Sequence, residues 1–357
     1  MKFQASELKH ALKKLAPVKT DSFRFDGDTV VAQDSEATVV VPAPRFETPF
    51  TINAKKLSSV VNRMSGEIEA TLQERSLVLK SAKARIELEI QKVKSVALPT
   101  QQEKVINFDL PEFKKSLALA VASASTAKSA AFGGTVQVQS LPMGLTLQDD
   151  AGPLPPGYRV VGTDSIVLTV VEIKTPVPYE FKWLLNLTSA GVVQLMDGPS
   201  VSIGESATHL QVFGKDCSVY AAKPVQAYPN FDVLLIKPPS IKIKLSPQEW
   251  LSALRTLEPL IDEEKDKGAI TLQFKENVVK WVNVGVGNIA SDESGYEQLE
   301  PDPFFDPKEF TLSLTAKYLS GFLSKAGDDS TLGITDGPIR LESGNVVVLT
   351  MPAKGVK

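Results

Sequence analysis

Side chains able to carry out covalent or acid–base chemistry are scarce in this chain: two histidines, His10 and His209, and one cysteine, Cys217, among 357 residues. His10 sits among lysines in a helical pattern, and His209 in a segment that reads as a hairpin. Neither has a partner at a spacing that proposes a Ser-His-Asp relay or a zinc site. Cys217 stands in the strand-like DCSVYAA, where a small buried hydrophobe is the simpler reading, and one cysteine makes no internal disulfide. Gly285-Val286-Gly287 lacks the third glycine and the strand-to-helix setting of a dinucleotide loop, and no GxxxxGK[ST] occurs. The run DEEKDK at 262–267 mixes signs as a solvated loop does. The expectation is a protein with no catalytic residues, no metal and no cofactor.

Cationic side chains offer a different chemistry, contact with phosphates. Lys9, Lys13 and Lys14 fall at spacings of four and five in a helical segment, away from Leu8, Leu12 and Leu15. The same holds loosely for Lys55, Lys56 and Arg63 and for Lys114 and Lys115, and Lys128, Lys317 and Lys325 are further cations within predicted helices. Each group alone is compatible with an ordinary solvated helix face; the repetition sets them apart. The six predicted helices, 7–19, 53–64, 111–128, 182–197, 246–257 and 315–327, carry a formal charge of +10 in a chain of −3, which leaves −13 for everything else. Positive charge is gathered on helices, and strands and loops are acidic.

The elements that position these cations recur. One pattern occurs three times: an apolar pair, a small residue or Met, a Gly or Asp turn, then two alternating strands. The copies begin at Val60, Val192 and Phe322, at offsets of 132 and 130 residues. Upstream of each lies a short alternating strand running into another helix: KFQASELKHALKKLAPV, INFDLPEFKKSLALAVASA and IKIKLSPQEWLSALRTLEPL. Ser6 and Ser246 are candidate N-caps, and Pro111 and Pro247 occupy first-turn positions. Strands with turn punctuation follow, such as FRFDGDTVVAQ with its Asp-Gly and TLQFKENVVKWVNV with its Glu-Asn. The order is antiparallel α+β rather than alternating βαβ.

Polar or Pro-rich connections at 97–104 and 234–240 divide the chain into three units, 1–104 (shortened), 105–238 and 239–357. The stretches 149–157 and 295–307 read as loops within units. A composition of 43% hydrophobic and 23% charged residues is that of a folded globular protein. No apolar run approaches the roughly 18 residues that cross a bilayer, and the start lacks a signal-peptide core, so the expected location is the cytoplasm, with no membrane partner.

With these segments in view, the chain resembles the bacterial DNA polymerase III beta sliding clamp family from Met1 to about Lys354. FGGTVQV, VVGTDSIVLTV, YAAKPVQAYPNFDVLL, LSLTAKYLSGFL and VVVLTMPAK occur in the order and approximate spacing of that family's signature segments. The resemblance implies a DNA-clamp fold: three repeated domains, each with two helices packed on antiparallel sheets, two chains closing head to tail into a homodimer ring. The implied function is that of a processivity factor, which encircles double-stranded DNA without sequence preference and tethers polymerase and clamp-loader peptides. The cations named above would line the pore, where weak phosphate contacts permit sliding.

The resemblance also implies a hydrophobic peptide-binding cleft. Carried over position by position, it draws on Phe132, Thr163, Ile166, Leu168, Pro229, Val233, Leu234, Thr315, Tyr318, Pro338, Leu349, Met351 and Pro352. Without the resemblance, core packing would explain each of them.

The departures are specific. Ser165-Ile166-Val167 replace the family's Gly-His-Arg after Thr-Asp, Val233 replaces an arginine, and Gly355-Val356-Lys357 extend past the family's usual end. These mark a divergent member, of the kind a phage could encode, with a less polar cleft. The alternative is a clamp-like interaction protein that no longer encircles DNA, a decoy or inhibitor of clamp partners. Its signature would be loss of helix cations, as in the segment around Trp183–Met196, where Ser189 and Ala190 stand in place of basic residues.

Overall fold

The computed structural model describes residues 1–93, 98, 103–124, 134–141, 157–224, 227–236, 238–257, 269–275, 278–282, 288–291, 296–298, 309–334 and 337–352. In chain order the elements begin with β1 (Lys2–Gln4), α1 (Ala5–Leu15), β2 (Ser22–Gln33), β3 (Ala37–Asn53), α2 (Ala54–Arg63), β4 (Glu67–Leu72), β5 (Ser76–Lys80) and β6 (Arg85–Lys92). Next come β7 (Glu103–Asp109), α3 (Leu110–Ser123), β8 (Thr135–Ser140), β9 (Tyr158–Thr163), β10 (Val167–Ile173), β11 (Lys182–Asn186) and α4 (Leu187–Leu195). They continue with β12 (Ser200–Glu205), β13 (His209–Phe213), β14 (Ser218–Ala222), α5 (Asp232–Ile236), β15 (Ile241–Lys244) and α6 (Pro247–Leu257). The last are β16 (Ala269–Lys275), β17 (Val278–Val282), β18 (Asn288–Ser291), β19 (Tyr296–Gln298), β20 (Glu309–Thr315), α7 (Ala316–Leu323), β21 (Thr331–Ile334), β22 (Ile339–Ser343) and β23 (Val346–Thr350).

The fold is α+β, as expected, and each of the three copies contributes two helices that follow a strand: α1 and α2, α3 and α4, α6 and α7. Local chemistry sets these junctions. Asn53 accepts the Lys56 amide at 2.9 Å, Asp109 that of Glu112 at 2.9 Å, and Asn186 that of Ser189 at 2.7 Å, so a side-chain oxygen satisfies an orphan N–H at three of these six starts. Pro247 opens α6, as expected, where its missing N–H costs nothing. Ser6 lies inside α1 and is not its cap; the helix starts after Gln4, whose side chain makes no capping bond. Apolar residues at three- and four-residue spacing, Ala5, Leu8, Ala11, Leu12 and Leu15, turn α1 onto the sheet. Met64 and Met196 end α2 and α4 as extended, buried residues, each donating its amide three residues back.

The segment 182–197 is not helical throughout. Lys182–Asn186 form β11 before α4 begins, because Trp183 and Leu185 alternate inward at strand spacing. The Asp26-Gly27 pair makes no hairpin; it sits within β2, where the β2–β3 register shifts at Gly27, whose φ is +63°. The boundary set after 104 falls inside β7, and the supposed linker at 234–240 begins within α5.

Contacts divide the chain into two compact units, Met1–Ala118 with Trp183–Gln226, and Leu119–Lys182 with Ala227–Lys357. Unit 1 is built on a ten-stranded antiparallel sheet in the order β1-β4-β5-β6-β3-β14-β13-β12-β7, with β2 paired to β3. In its core Phe25 stacks on Phe50 and Phe46 meets both edge to face, with ring centroids 5.0–5.3 Å apart. Unit 2 has strands in the order β8-β9-β10-β23-β22-β21-β15-β19 and a four-stranded sheet β18-β17-β16-β20. Its core packs Trp250, Leu254, Leu319, Phe322 and Leu323 of α6 and α7 against Ile241, Ile243, Leu314 and Leu341. The units cut across the copies because the sheets run through the repeat boundaries: β14 pairs with β3, and β10 with β23. No helix among the described residues is long and apolar enough to cross a membrane.

Candidate functional site

The cations do not share one environment. On α1, Lys9 and Lys13 are four residues apart and reach solvent, whereas His10 and Lys14 form a second i, i+4 pair turned toward Asp197 and Asp216. The Lys14 side chain is 2% exposed, its ammonium bonded to the Asp216 carboxylate and 3.3 Å from that of Asp197. This corrects two expectations: Lys14 is a buried structural cation unable to face a phosphate, and His10 has carboxylate neighbours, at 3.4 and 3.6 Å. The hydrogen bond from Lys14 holds the Asp197 carboxyl below the usual carboxylate range. His10, Asp197 and Asp216 have the types and proximity of metal ligands, but the space between them receives the Lys14 ammonium.

Lys55, Lys56 and Arg63 of α2, Lys115 of α3, and Lys317 of α7 are exposed, as is Lys325 just beyond it. Lys114 departs from expectation: its ammonium donates to the Met196 carbonyl at 2.7 Å, at the C-terminal end of α4, where a cation completes an orphan acceptor. Ser189 and Ala190 of α4 are both fully buried, so these positions could not hold solvated cations. Lys128 and Phe132 lie outside the described residues.

The remaining cleft candidates all belong to unit 2. Thr163, Leu168 and Leu349 are buried and lie in a row across three neighbouring strands, with Leu168 in the middle as the register partner of both others. Ile166 and Met351 are 52% and 47% exposed, and the Met351 amide donates to the Ile166 carbonyl at 2.9 Å. Asp164 shapes the intervening turn by accepting the amides of Ile166 at 3.0 Å and Val167 at 2.8 Å. Its other oxygen accepts from the Tyr318 hydroxyl at 2.5 Å, and burial together with this carboxylate raises the phenol's pKa. Thr315 and Tyr318 line a cavity of about 790 Å³ with Val167, Thr169 and Ser123, beside α7. Pro229 and Pro338 are half-buried, and Pro352 is exposed.

Val233 and Leu234 lie on α5, at 66% and 43% exposure, with Ile236 at 60%. Two arginines that sequence reasoning missed hold this helix. Arg159 of β9, 1% exposed, donates to Asp232 at 2.5 Å and lies 4.7 Å from the Phe231 ring centroid. Arg340 of β22, equally buried, donates to the Leu235 carbonyl at 2.9 Å and to Glu342 at 2.6 Å. The Tyr228 hydroxyl completes the attachment by donating to the Val161 carbonyl at 3.1 Å. The available signal was a charged residue inside a strand whose neighbours are apolar on both faces, as in YRVVGT. Glu172, register partner of Arg159, is also buried, and desolvation pushes its carboxyl up to about 7 against the pull of Arg159, Lys174 and Arg340.

His209 opens β13 with its ring Nδ1 2.8 Å from the Thr208 hydroxyl. Cys217 is 3% exposed, and burial pushes its thiol up to about 12, which leaves it unreactive at neutral pH.

No family model and no curated protein matches the sequence. Solved structures match its fold over nearly the whole chain. The DNA polymerase III beta subunit of Thermotoga maritima superposes with a TM-score of 0.82 at 14% identity, covering 99% of both chains. The DNA polymerase sliding clamp of Bacillus subtilis gives 0.81 at 15% identity with the same coverage. The Pseudomonas aeruginosa sliding clamp bound to griselimycin gives 0.79 at 12% identity, again over 99% of each chain. The chain therefore has the fold of the DNA polymerase III beta sliding clamps.

Proposed function

We propose that this protein is a non-catalytic DNA sliding clamp, built of three clamp domains at 1–102, 103–238 and 239–357, with the first boundary moved from 104 to the start of β7, and that two copies close into a ring around duplex DNA. The observation that carries the reading is the match in fold to beta clamps over 99% of both chains. Exposed cations on helices in a net-negative chain support it: they suit transient contact with phosphates, and the acidic remainder discourages DNA elsewhere. The pore set is Lys9, Lys13, Lys55, Lys56, Arg63, Lys115, Lys317 and Lys325, without Lys14 and Lys114. The unit 2 surface around Ile166, Val233, Leu234 and Met351 is the docking place for peptides of the polymerase and the clamp loader.

Replacing Lys9, Lys13, Lys55, Lys56 and Arg63 together by Glu is expected to abolish DNA-dependent stimulation of a polymerase while thermal stability is kept, because all five side chains reach solvent. Stimulation equal to wild type would contradict the pore assignment. For the docking surface, Met351→Ala with Tyr318→Ala is expected to weaken binding of polymerase C-terminal peptides in a fluorescence titration, and equal affinity would remove it.

A further inference from the structure

The short helix α5 buries one side chain of its own, Leu235, and leaves Val233, Leu234 and Ile236 exposed. With so little apolar burial, polar attachments decide whether it stays on the sheet. These are the Arg159–Asp232 ion pair, the Arg340 bond to the Leu235 carbonyl and, just before the helix, the Tyr228 bond to the Val161 carbonyl. The first of them has a rival. Glu172 of β10 is the register partner of Arg159 in β9, so both side chains stand on one face of the sheet, and Glu172 is 4% exposed. The other charges around Glu172 are solvated or engaged: Lys174, just past β10, is exposed, Arg340 of β22 is bonded to Glu342, and Glu342 also lies 3.1 Å from Lys242 of β15. Strand β23, on the other side of β10, carries no charge over VVVLT, and Gln139 of β8, beyond Arg159, is neutral.

We propose that Arg159 and Glu172 form a pH-sensitive latch beneath α5. While Glu172 keeps its proton the guanidinium is committed to Asp232; when the proton leaves, Arg159 turns toward Glu172 and α5 loosens. A buried carboxylate has to find a cation or water. Its strand is not free to shift toward either, because the Glu172 amide donates to the Asn345 carbonyl at 2.9 Å and the Glu172 carbonyl accepts from the Asn345 side-chain amide at 2.6 Å. What can give is the Arg159 guanidinium and the helix it holds. Desolvation, outweighing the pull of Arg159, Lys174 and Arg340, sets the proton's departure at about pH 7, against 4.5 for a solvated carboxyl. The latched state therefore binds the proton more tightly than an opened one with water at Glu172, so latching is strongest below about pH 4.5 and weakens as pH rises through 7. The latch stands on the geometry of β9, β10 and α5; its consequence for peptides, weaker docking as pH rises, rests on the docking reading above, because α5 carries Val233 and Leu234.

Hydrogen exchange of the full-length protein, followed by mass spectrometry on fragments spanning 228–236, reads the latch without any ligand. Between about pH 6 and about pH 8 the wild type is expected to lose about tenfold in protection of these amides, and Glu172→Gln, which keeps the neutral shape, less than about twofold. Asp232→Asn, at a side chain 37% exposed, is expected to keep the fold and to lower protection at the acid pH toward the wild-type value at the alkaline one. Wild-type protection independent of pH, or an equal fall in Glu172→Gln, would overturn the inference. In a second arm a fluorescein-labelled polymerase C-terminal peptide is titrated by anisotropy at the same two pH values. Its affinity is expected to fall about threefold or more for the wild type and to hold for Glu172→Gln. Constant affinity beside pH-dependent exchange would overturn the consequence for docking, and no binding beside pH-dependent exchange would remove the docking reading while supporting the latch.

Discussion

Lys14 shows what a single residue's environment decides. Helical spacing puts Lys9, Lys13 and Lys14 on neighbouring positions, but it cannot say that a turn from a distant part of the chain brings Asp216 against one of them. A buried cation deprived of its ammonium leaves two carboxylates without their counter-charge. Lys14→Gln is therefore expected to destabilise the protein by roughly 2–3 kcal/mol in urea unfolding, whereas Lys13→Gln should stay within about 0.5 kcal/mol. Equal effects would place Lys14 back on the solvated face. Ser165 is the other residue whose conformation exceeds its type: its φ is +79°, a left-handed region that glycine occupies without a Cβ clash. Ser165→Gly is expected to raise the unfolding free energy by about 0.5–1 kcal/mol, net of glycine's greater chain entropy, and to leave the Asp164 turn unchanged. A loss of stability would mean that the bond from the Ser165 amide to the Thr163 hydroxyl, at 3.1 Å, requires the serine conformation.

At the scale of elements, the strands before α1, α3 and α6 and the first-turn Pro111 and Pro247 were legible because they rest on local pattern, whereas the caps Asn53, Asp109 and Asn186 and the strand β11 before α4 were not, and Ser6 is not the cap its type suggested. The Asp26-Gly27 bulge was not legible either, because the same dipeptide serves a hairpin turn or a bulge, and the long partner strand β3 decides between them. Nor was α5, since DVLLI is too short and too apolar for period to separate helix from strand. Its fixation depends on Arg159 and Arg340, partners about 73 and 105 positions away. The strand β10 beneath this polar layer carries a pH dependence of its own. Glu172 has its carboxyl at about 7 in the fold against 4.5 in the unfolded chain, so the fold binds this proton more tightly. Its contribution to stability is present below about pH 4.5 and is lost as pH rises through 7, by up to roughly 3 kcal/mol. Melting temperatures are expected to fall between pH 5 and 8 in the wild type and to fall less in Glu172→Gln; parallel curves would dismiss the assignment.

For the molecule as a whole, the threefold repeat and the concentration of cations on helices could be read before any coordinate, since both are properties of period and count. The sequence did not show how copies join, because antiparallel pairing between β3 and β14, and between β10 and β23, links residues far apart in the chain. The observed helices α1–α4, α6 and α7 carry a formal charge of +7, less than the predicted segments because the helices are shorter. That charge is small for groove binding but adequate for a protein retained by topology, whose phosphate contacts must be weak enough to slide. The measurement that bears most directly on this is retention on DNA of defined ends. The protein is loaded by a clamp loader onto a nicked circular plasmid, the complex is isolated, and half of it is linearised before the bound fraction is measured. The account predicts that protein stays on the circle and runs off the linear molecule; binding that is absent, or equal on both, would contradict encirclement and favour a clamp-like protein that acts on clamp partners without enclosing DNA.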